Sequence, residues 1–107
     1  MSKSRITMKD LYAQLDSLGP NEIILDGRSP EEYRAGHVPR SKNIPYDKIA
    51  AHAADLKKYE CIYIHCQAGK RASVATETLV KLGFTNIVCV AGSGMGDWIA
   101  SGYPVER

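Results

Sequence analysis

The segment Tyr63-Ile64-His65-Cys66-Gln67-Ala68-Gly69-Lys70-Arg71 holds the densest chemistry in the sequence. The run Cys61-Ile62-Tyr63-Ile64-His65 is β-branched and aromatic, reads as a central strand, and stops at Cys66. A helical pattern opens near Arg71, with Ala72, Ala75, Leu79 and Leu82 on one face and Gly83 at its end. Between strand and helix lie small or flexible residues, of which Gly69 is free to take a left-handed backbone. Such a turn aims successive backbone N–H groups inward and makes an anion-binding nest against a helix N-terminus. Lys70 and Arg71 add positive charge, and the helix dipole and cations together favour a thiolate at Cys66. This is the setting of an activated cysteine nucleophile facing an anionic substrate. The competing reading makes Cys66 a small core hydrophobe, as many buried free cysteines are. Loop context favours the nucleophile for Cys66, whereas Cys61 and Cys89 sit inside apolar strands and read as core.

The elements that must position this loop are legible around it. Met8, Leu11, Tyr12, Leu15 and Leu18 recur at helical spacing, opened by Thr7 and stopped by Gly19-Pro20. Glu22-Ile23-Ile24-Leu25-Asp26 reads as a buried strand. Ser29-Pro30-Glu31-Glu32 is a helix start in which Ser29 caps, Pro30 suits the first turn and Glu32 returns the capping-box bond. Gly36 keeps that helix short. Asn43-Ile44 reads as a brief strand, and Pro45 is expected to open a helix carrying Ile49, Ala53 and Leu56. Ile87-Val88-Cys89-Val90 is a further apolar strand, followed by a glycine-rich turn and a last helix around Trp98. Ile6-Thr7 is a candidate edge strand. Alternation of strands and helices predicts a parallel sheet with helices on both faces. Ligands of such sheets bind where strands end and helices begin.

Composition narrows the function classes. The 107 residues fit one domain, and 44% apolar content is enough for a packed core. Lys and Arg total 14 against 12 acids, a net charge of +2, and no basic run suggests nucleic acid. No apolar stretch approaches the ~20 residues of a membrane span. Met1–Arg5 lacks an apolar segment behind it, so no signal peptide is visible and a cytoplasmic protein is expected. An exported protein whose signal has been removed fits as well. Three cysteines cannot all pair and none are spaced CxxC, which argues against a disulfide scaffold and a zinc module.

The ordered motifs resemble those of single-domain rhodaneses, a sulfurtransferase family, and the likeness runs nearly end to end. Asp26-Gly27-Arg28-Ser29-Pro30-Glu31-Glu32-Tyr33-Arg34-Ala35-Gly36-His37-Val38-Pro39 resembles the upstream signature D-x-R-(S/T)-x-x-E-(Y/F)-x-x-G-H-(I/V)-P. Asn43-Ile44-Pro45 continues it, Cys66–Arg71 is similar to the active-site loop, and Tyr103-Pro104-Val105 to the closing segment. The resemblance implies a three-layer α/β/α domain over residues 1–107, with a mostly parallel five-stranded sheet. It implies a Cys66 persulfide, loaded from thiosulfate or a similar small anionic donor and unloaded to cyanide, a thiol or a protein. Gln67, Ala68, Gly69, Lys70 and Arg71 form the implied substrate loop, and no metal or organic cofactor is required. An alternative reading, from another class, is a persulfide carrier with little turnover of its own. The related cysteine phosphatases and arsenate reductases use C-x5-R, a wider cradle for a tetrahedral oxyanion. Here the loop is C-x4-R, which favours sulfur.

Several positions depart from the family pattern. Gly27 replaces a hydrophobic residue, Arg40-Ser41 replaces Gly-Ala, Gln67 stands where Arg is common, and Ala72 takes a frequent Ser position with Ser73 next to it. Gly92-Ser93-Gly94-Met95 replaces an acidic residue and paired glycines. Two readings stand for Arg71, pointing into the pocket or bracing the loop. Two also stand for Lys70, attracting a dianion or simply being solvated. Asp26 and Arg28 are expected to pair at a strand end and support the loop. Strand alternation turns His65 away from Cys66, giving it a structural role. His37 is read as structural, His52 as a helix-face residue, and Trp98 with Met95 as core. Gly92, Gly94 and Gly96 lack GxGxxG spacing and have no βαβ unit after them, so a dinucleotide site is dismissed.

Overall fold

The computed structural model describes residues 3–107, and the Met1–Arg5 leader reading falls partly on Met1 and Ser2, outside them. Five parallel strands, β1 (Lys3–Ile6), β2 (Glu22–Asp26), β3 (Ser41–Asn43), β4 (Cys61–His65) and β5 (Ile87–Val90), stand in the order β1-β5-β4-β2-β3. The helices are α1 (Met8–Gln14), α2 (Pro30–Ala35), α3 (Ala53–Leu56), α4 (Lys70–Lys81) and α5 (Met95–Ala100). Each strand of the central trio splits its side chains between two cores, as a two-residue period requires. Ile23, Leu25, Ile62, Ile64, Ile87 and Cys89 pack with Ile49, Leu56, Ala72, Ala75 and Leu79. Ile24, Tyr63 and Val90 pack on the other face with Met8, Leu11, Leu15, Met95 and Trp98. The α/β fold with helices on both faces of a five-stranded parallel sheet is therefore the observed one. It places the C-terminal ends of β4 and β2 side by side, with Asp26 in register with His65.

The capping signals act as read. Thr7 and Ser29 both close capping boxes, with Asp10 and Glu32 as the returning carboxylates. The edge strand ends at Ile6, leaving Thr7 to cap α1, and β3 begins at Ser41, two residues before Asn43.

Two expectations need correcting. The stretch after Pro45 is not one α-helix; Tyr46–His52 winds as 3₁₀ before α3. No side chain caps its start, and Lys48 N–H bonds Pro45 O at 2.9 Å, the tighter i→i+3 closure that satisfies uncapped ends. Leu82 is also not on the buried face of α4. The helix ends at Lys81, and Leu82 turns outward with 48% of its surface exposed.

Arg40 has φ +71°, the left-handed region that L-residues avoid. Its guanidinium bonds the carbonyls of Leu15 and Leu18 at 2.8 and 3.0 Å, so the strained residue ties the end of the first helical segment to β3.

The second core centres on Trp98, which is fully buried and donates its indole N–H to Pro104 O at 2.7 Å. Tyr12 stacks on Tyr103 at 3.9 Å, and both rings meet Trp98 edge-on. Replacing Trp98 with Ala is expected to lower unfolding free energy by about 3–5 kcal/mol, read from urea denaturation followed by circular dichroism.

Candidate active site

Cys66 follows β4 directly, and its side chain falls on the α4 face of the sheet with Ile62 and Ile64. The loop then turns at Gly69, whose φ of +113° confirms the left-handed backbone and leaves it as the N-cap of α4. Curling in this way, the chain points Gly69 N–H and Ala72 N–H at Cys66 Sγ, at 3.1 and 3.2 Å. Those two donors define a small anion cradle centred on sulfur, at the positive end of a twelve-residue helix. Ser73 steadies it by donating its hydroxyl to Gly69 O at 3.0 Å. Gln67, Ala68 and Lys70 are exposed on the outside of the turn, while Cys66 is 1% exposed.

Of the two readings of Arg71, bracing is the observed one. Its guanidinium makes a bidentate pair with Glu32, at 2.7 and 3.0 Å. Glu32 is also the capping-box residue of α2, so one carboxylate fastens α2 to the start of α4. The Arg71 guanidinium, with further help from Ser29, holds the Glu32 carboxyl down to about 2.

Asp26 and Arg28 do pair, in a buried fork. Arg28 Nε and Nη2 reach both Asp26 oxygens at 2.8–3.0 Å, and Nη2 also donates to Gly36 O at 2.7 Å. These contacts secure the end of β2 and the turn after α2. Among the described residues neither side chain bonds the Cys66 loop; the link is indirect, through Gly27 N–H to His65 O at 2.8 Å. His65 itself is fully buried and on the face opposite Cys66 Sγ, as alternation requires. Its Nδ1–H donates to Cys66 O at 3.4 Å, and among the described residues Nε2 has no hydrogen-bond partner, with Asp26 Oδ2 at 3.9 Å. Burial, the largest influence, lowers the His65 value and outweighs the opposing pull of Asp26. His37 bonds Tyr33 O and stacks on the Tyr33 ring, while His52 is exposed at the end of the 3₁₀ segment.

The glycine-rich turn is the part of the site that spacing arguments missed. Met95 N–H donates to Cys66 O at 2.8 Å and Gly96 N–H to Gln67 O at 3.3 Å. A Cβ on Gly94 would lie 2.4 Å from Cys66 O, and one on Gly69 would lie 2.6 Å from Gly92 N. These glycines are spacers that let two backbones touch. The usable signal was their closeness in sequence to a buried helix after β5, not a nucleotide motif. Ser93 ties the same turn to α1 by accepting Met8 N–H at 3.2 Å. Among the described residues, no cluster of three or more His, Cys, Asp or Glu is arranged to hold a metal. Cys61 is half-buried at the far end of β4, where burial, reinforced by Glu22, raises its thiol.

Comparison with known proteins bears on this geometry directly. The model of the rhodanese-like domain matches residues 7–101, spanning the cradle and every element that braces it. The chain belongs to the rhodanese-like domain family. Among rhodanese-like structures, a rhodanese-related protein from Thermoplasma volcanium is 34% identical, with a TM-score of 0.81, covering 96% of this chain and 97% of that one. A thiosulfate:glutathione sulfurtransferase from Saccharomyces cerevisiae is 32% identical over 110 residues, covering 90% of this chain and 78% of the relative. The putative sulfur carrier protein YrkF of Bacillus subtilis is 39% identical over 75 residues, 70% of this chain. The matched part of this rhodanese-like chain spans only 40% of that carrier's length.

Two outcomes are expected. Gly94→Ala should force the Cys66 carbonyl and Gln67 backbone apart, and alkylation of Cys66 by iodoacetamide should change rate while Cys89 stays unreactive. For His65, the unfolded chain takes up a proton below about pH 6.5 and the folded protein resists it. Stability is therefore full above that value and declines as pH falls toward the lower folded one. Melting temperatures between about pH 7.5 and 5.5 should fall in the wild type, with a shallower slope in His65→Asn.

Proposed function

We propose that this chain is a sulfurtransferase that works through a persulfide on Cys66. The observation that carries the reading is Cys66 Sγ at the focus of the Gly69 and Ala72 N–H groups, inside a six-residue loop. In the first half-reaction the Cys66 thiolate attacks the outer, sulfane sulfur of thiosulfate or a similar donor. A new S–S bond forms at Cys66, the donor's S–S bond breaks, and sulfite departs with the bonding pair. In the second, an acceptor such as cyanide or a thiolate attacks the terminal sulfur and returns Cys66 as thiolate. Each half is a displacement at sulfur, so no electrons are exchanged with an outside redox partner. The two N–H donors favour negative charge on Cys66 Sγ, as the attacking thiolate of the first step and the leaving thiolate of the second, and they cost no reorganisation.

Loop length supports sulfur over phosphate. With four residues between Cys66 and Arg71, the loop is one residue shorter than the C-x5-R loop of the cysteine phosphatases, and the N–H groups of Gly69 and Ala72 close on the Cys66 sulfur. Arg71 adds to this, because its guanidinium is committed to Glu32 and not offered to a phosphate. Asp26 and Arg28 act here as supports of the β2 end, and Lys70 as the exposed cation of the loop. The likeness to a putative sulfur carrier favours a protein or small-thiol acceptor, with carriage of sulfur as the second reading. Residues 1–107 are taken as one domain. Three unpaired thiols suit a reducing, cytoplasmic setting.

Exposure to thiosulfate followed by desalting should add one sulfur atom to the intact mass, located by peptide mapping at Cys66. Cys66→Ser should abolish the addition and all transfer to cyanide while leaving the melting transition in place. Full activity in Cys66→Ser would overturn the assignment. Stable loading combined with slow turnover would favour carriage.

A further inference from the structure

Gly27 is a glycine that the backbone does not require. Its φ is not positive, and a Cβ built on it would meet His65 O at 3.5 Å and Tyr46 Cβ at 3.6 Å, ordinary van der Waals contacts. Neither strain nor crowding excludes a side chain there, and the position is one at which this chain departs from the family pattern. What the missing side chain leaves is space. A cavity of about 270 Å³ opens over Gly27, with Pro30, Pro45 and Tyr46 as walls. That is room for a small molecule and not for the surface of a folded partner.

The cavity adjoins the sulfur site. Gly27 N–H bonds the carbonyl of His65, the residue before Cys66, at 2.8 Å, and Arg71 closes one side. Glu32 foremost, and then the charge of Cys66, holds the Arg71 guanidinium protonated, so sulfur and cavity wall lie within electrostatic reach of each other. At the rim, the first turn of the 3₁₀ segment Tyr46–His52 sets Asp47 and Lys48 side by side. Tyr46 N–H fastens that turn to Gly27 O at 3.0 Å.

Asp47 and Lys48 are both exposed, and among the described residues neither joins an ion pair. The other polar groups of the wall are taken: Ser29 Oγ caps α2, and Arg71 is held by both oxygens of Glu32. Formal charge at the mouth cancels, with Lys48 and Arg71 set against Asp47 and Glu32. The groups left free are one carboxylate and one ammonium. They complement a ligand that carries an ammonium and a carboxylate of its own.

We propose that this cavity is the acceptor subsite of the Cys66 persulfide and takes a low-molecular-weight zwitterionic thiol, an α-amino acid with a sulfhydryl side chain. This deepens the persulfide reading of Cys66 and rests on it. The ligand's ammonium faces Asp47, its carboxylate faces Lys48, and its thiolate passes over Gly27 to the loaded sulfur. That thiolate attacks the terminal sulfur and forms a new S–S bond, while the bond to Cys66 Sγ breaks and Cys66 leaves as thiolate with the bonding pair. The product is the persulfide of the amino acid, and no outside oxidant or reductant takes part.

The test starts from protein loaded by thiosulfate and desalted, and follows the loss of one sulfur atom from Cys66 by intact mass at low ionic strength. L-cysteine is compared with N-acetylcysteinamide, whose thiolate has the same net charge but lacks both the ammonium and the carboxylate. Each second-order rate constant is divided by that of the same thiol with a small-molecule persulfide, which removes differences in intrinsic reactivity. The wild type should then favour L-cysteine about fivefold, since an exposed ion pair is worth about two- to fivefold in rate. Asp47→Asn combined with Lys48→Gln leaves the net charge unchanged and should bring the preference down to about one. Gly27→Val fills part of the cavity and should slow discharge to L-cysteine about tenfold relative to discharge to cyanide, which needs little room.

A wild type with no preference for L-cysteine would overturn the proposal, and this needs no variant to fold. Faster discharge to N-acetylcysteinamide would overturn it in favour of a cysteine within a protein chain as acceptor. So would an Asp47→Asn, Lys48→Gln protein, folded by its melting curve, that keeps the wild-type preference, or a folded Gly27→Val protein with an unchanged L-cysteine to cyanide ratio. A Cys66 that thiosulfate does not load would instead refute the persulfide function itself.

Discussion

Everything at the site depends on two backbones that touch with no side chain between them. Met95 and Gly96 donate to the carbonyls of Cys66 and Gln67, and the approach is close enough that only glycine fits at position 94. Those bonds hold the first half of the loop while α4 holds the second. With both halves fixed, the N–H groups of Gly69 and Ala72 converge on sulfur without help from any side chain. A cradle built of backbone is rigid and insensitive to most substitutions along its own loop. Its weak points are Gly69 within the loop and, outside it, Gly94 and the packing of Trp98 that seats α5.

Charge around the cradle is handled by pairing. Asp26 and Arg28 satisfy each other in the interior, where an unpartnered charge would cost several kcal/mol. Glu32 and Arg71 do the same near the surface, joining α2 to α4. His65 is the exception: among the described residues one of its ring nitrogens has no partner, and its complete burial makes it resist protonation. The sheet end thus presents few free charges, and the polarity that faces sulfur comes from peptide groups.

Strands β2, β4 and β5 were legible to the residue in the sequence, because fully buried parallel strands are short apolar runs with sharp ends. The capping boxes at Thr7 and Ser29 were legible for an equally local reason. The Cys66 turn could be read since a cysteine, a glycine and a helix start follow one another within six residues. Local pattern failed where the deciding contact is distant. Nothing near Arg71 announces Glu32, 39 residues earlier, and so its orientation stayed open. Gly94 and Gly96 were weighed against a nucleotide motif, whereas their role is set by carbonyls almost thirty residues before them. The 3₁₀ winding after Pro45 escaped because Ile49, Ala53 and Leu56 have helical spacing whichever way the turns close.

The order of elements in space has a consequence for biosynthesis. β1 pairs with β5, and the Cys66 loop leans on the turn that follows β5. A growing chain that has emerged only as far as α4 owns the nucleophile and both of its N–H donors in sequence. It lacks the backing that holds them. Such long-range closure tends to come late and slowly. Until residues 94–98 leave the ribosome, Cys66 is an ordinary thiol on an unfinished sheet, exposed to whatever oxidant or electrophile it meets.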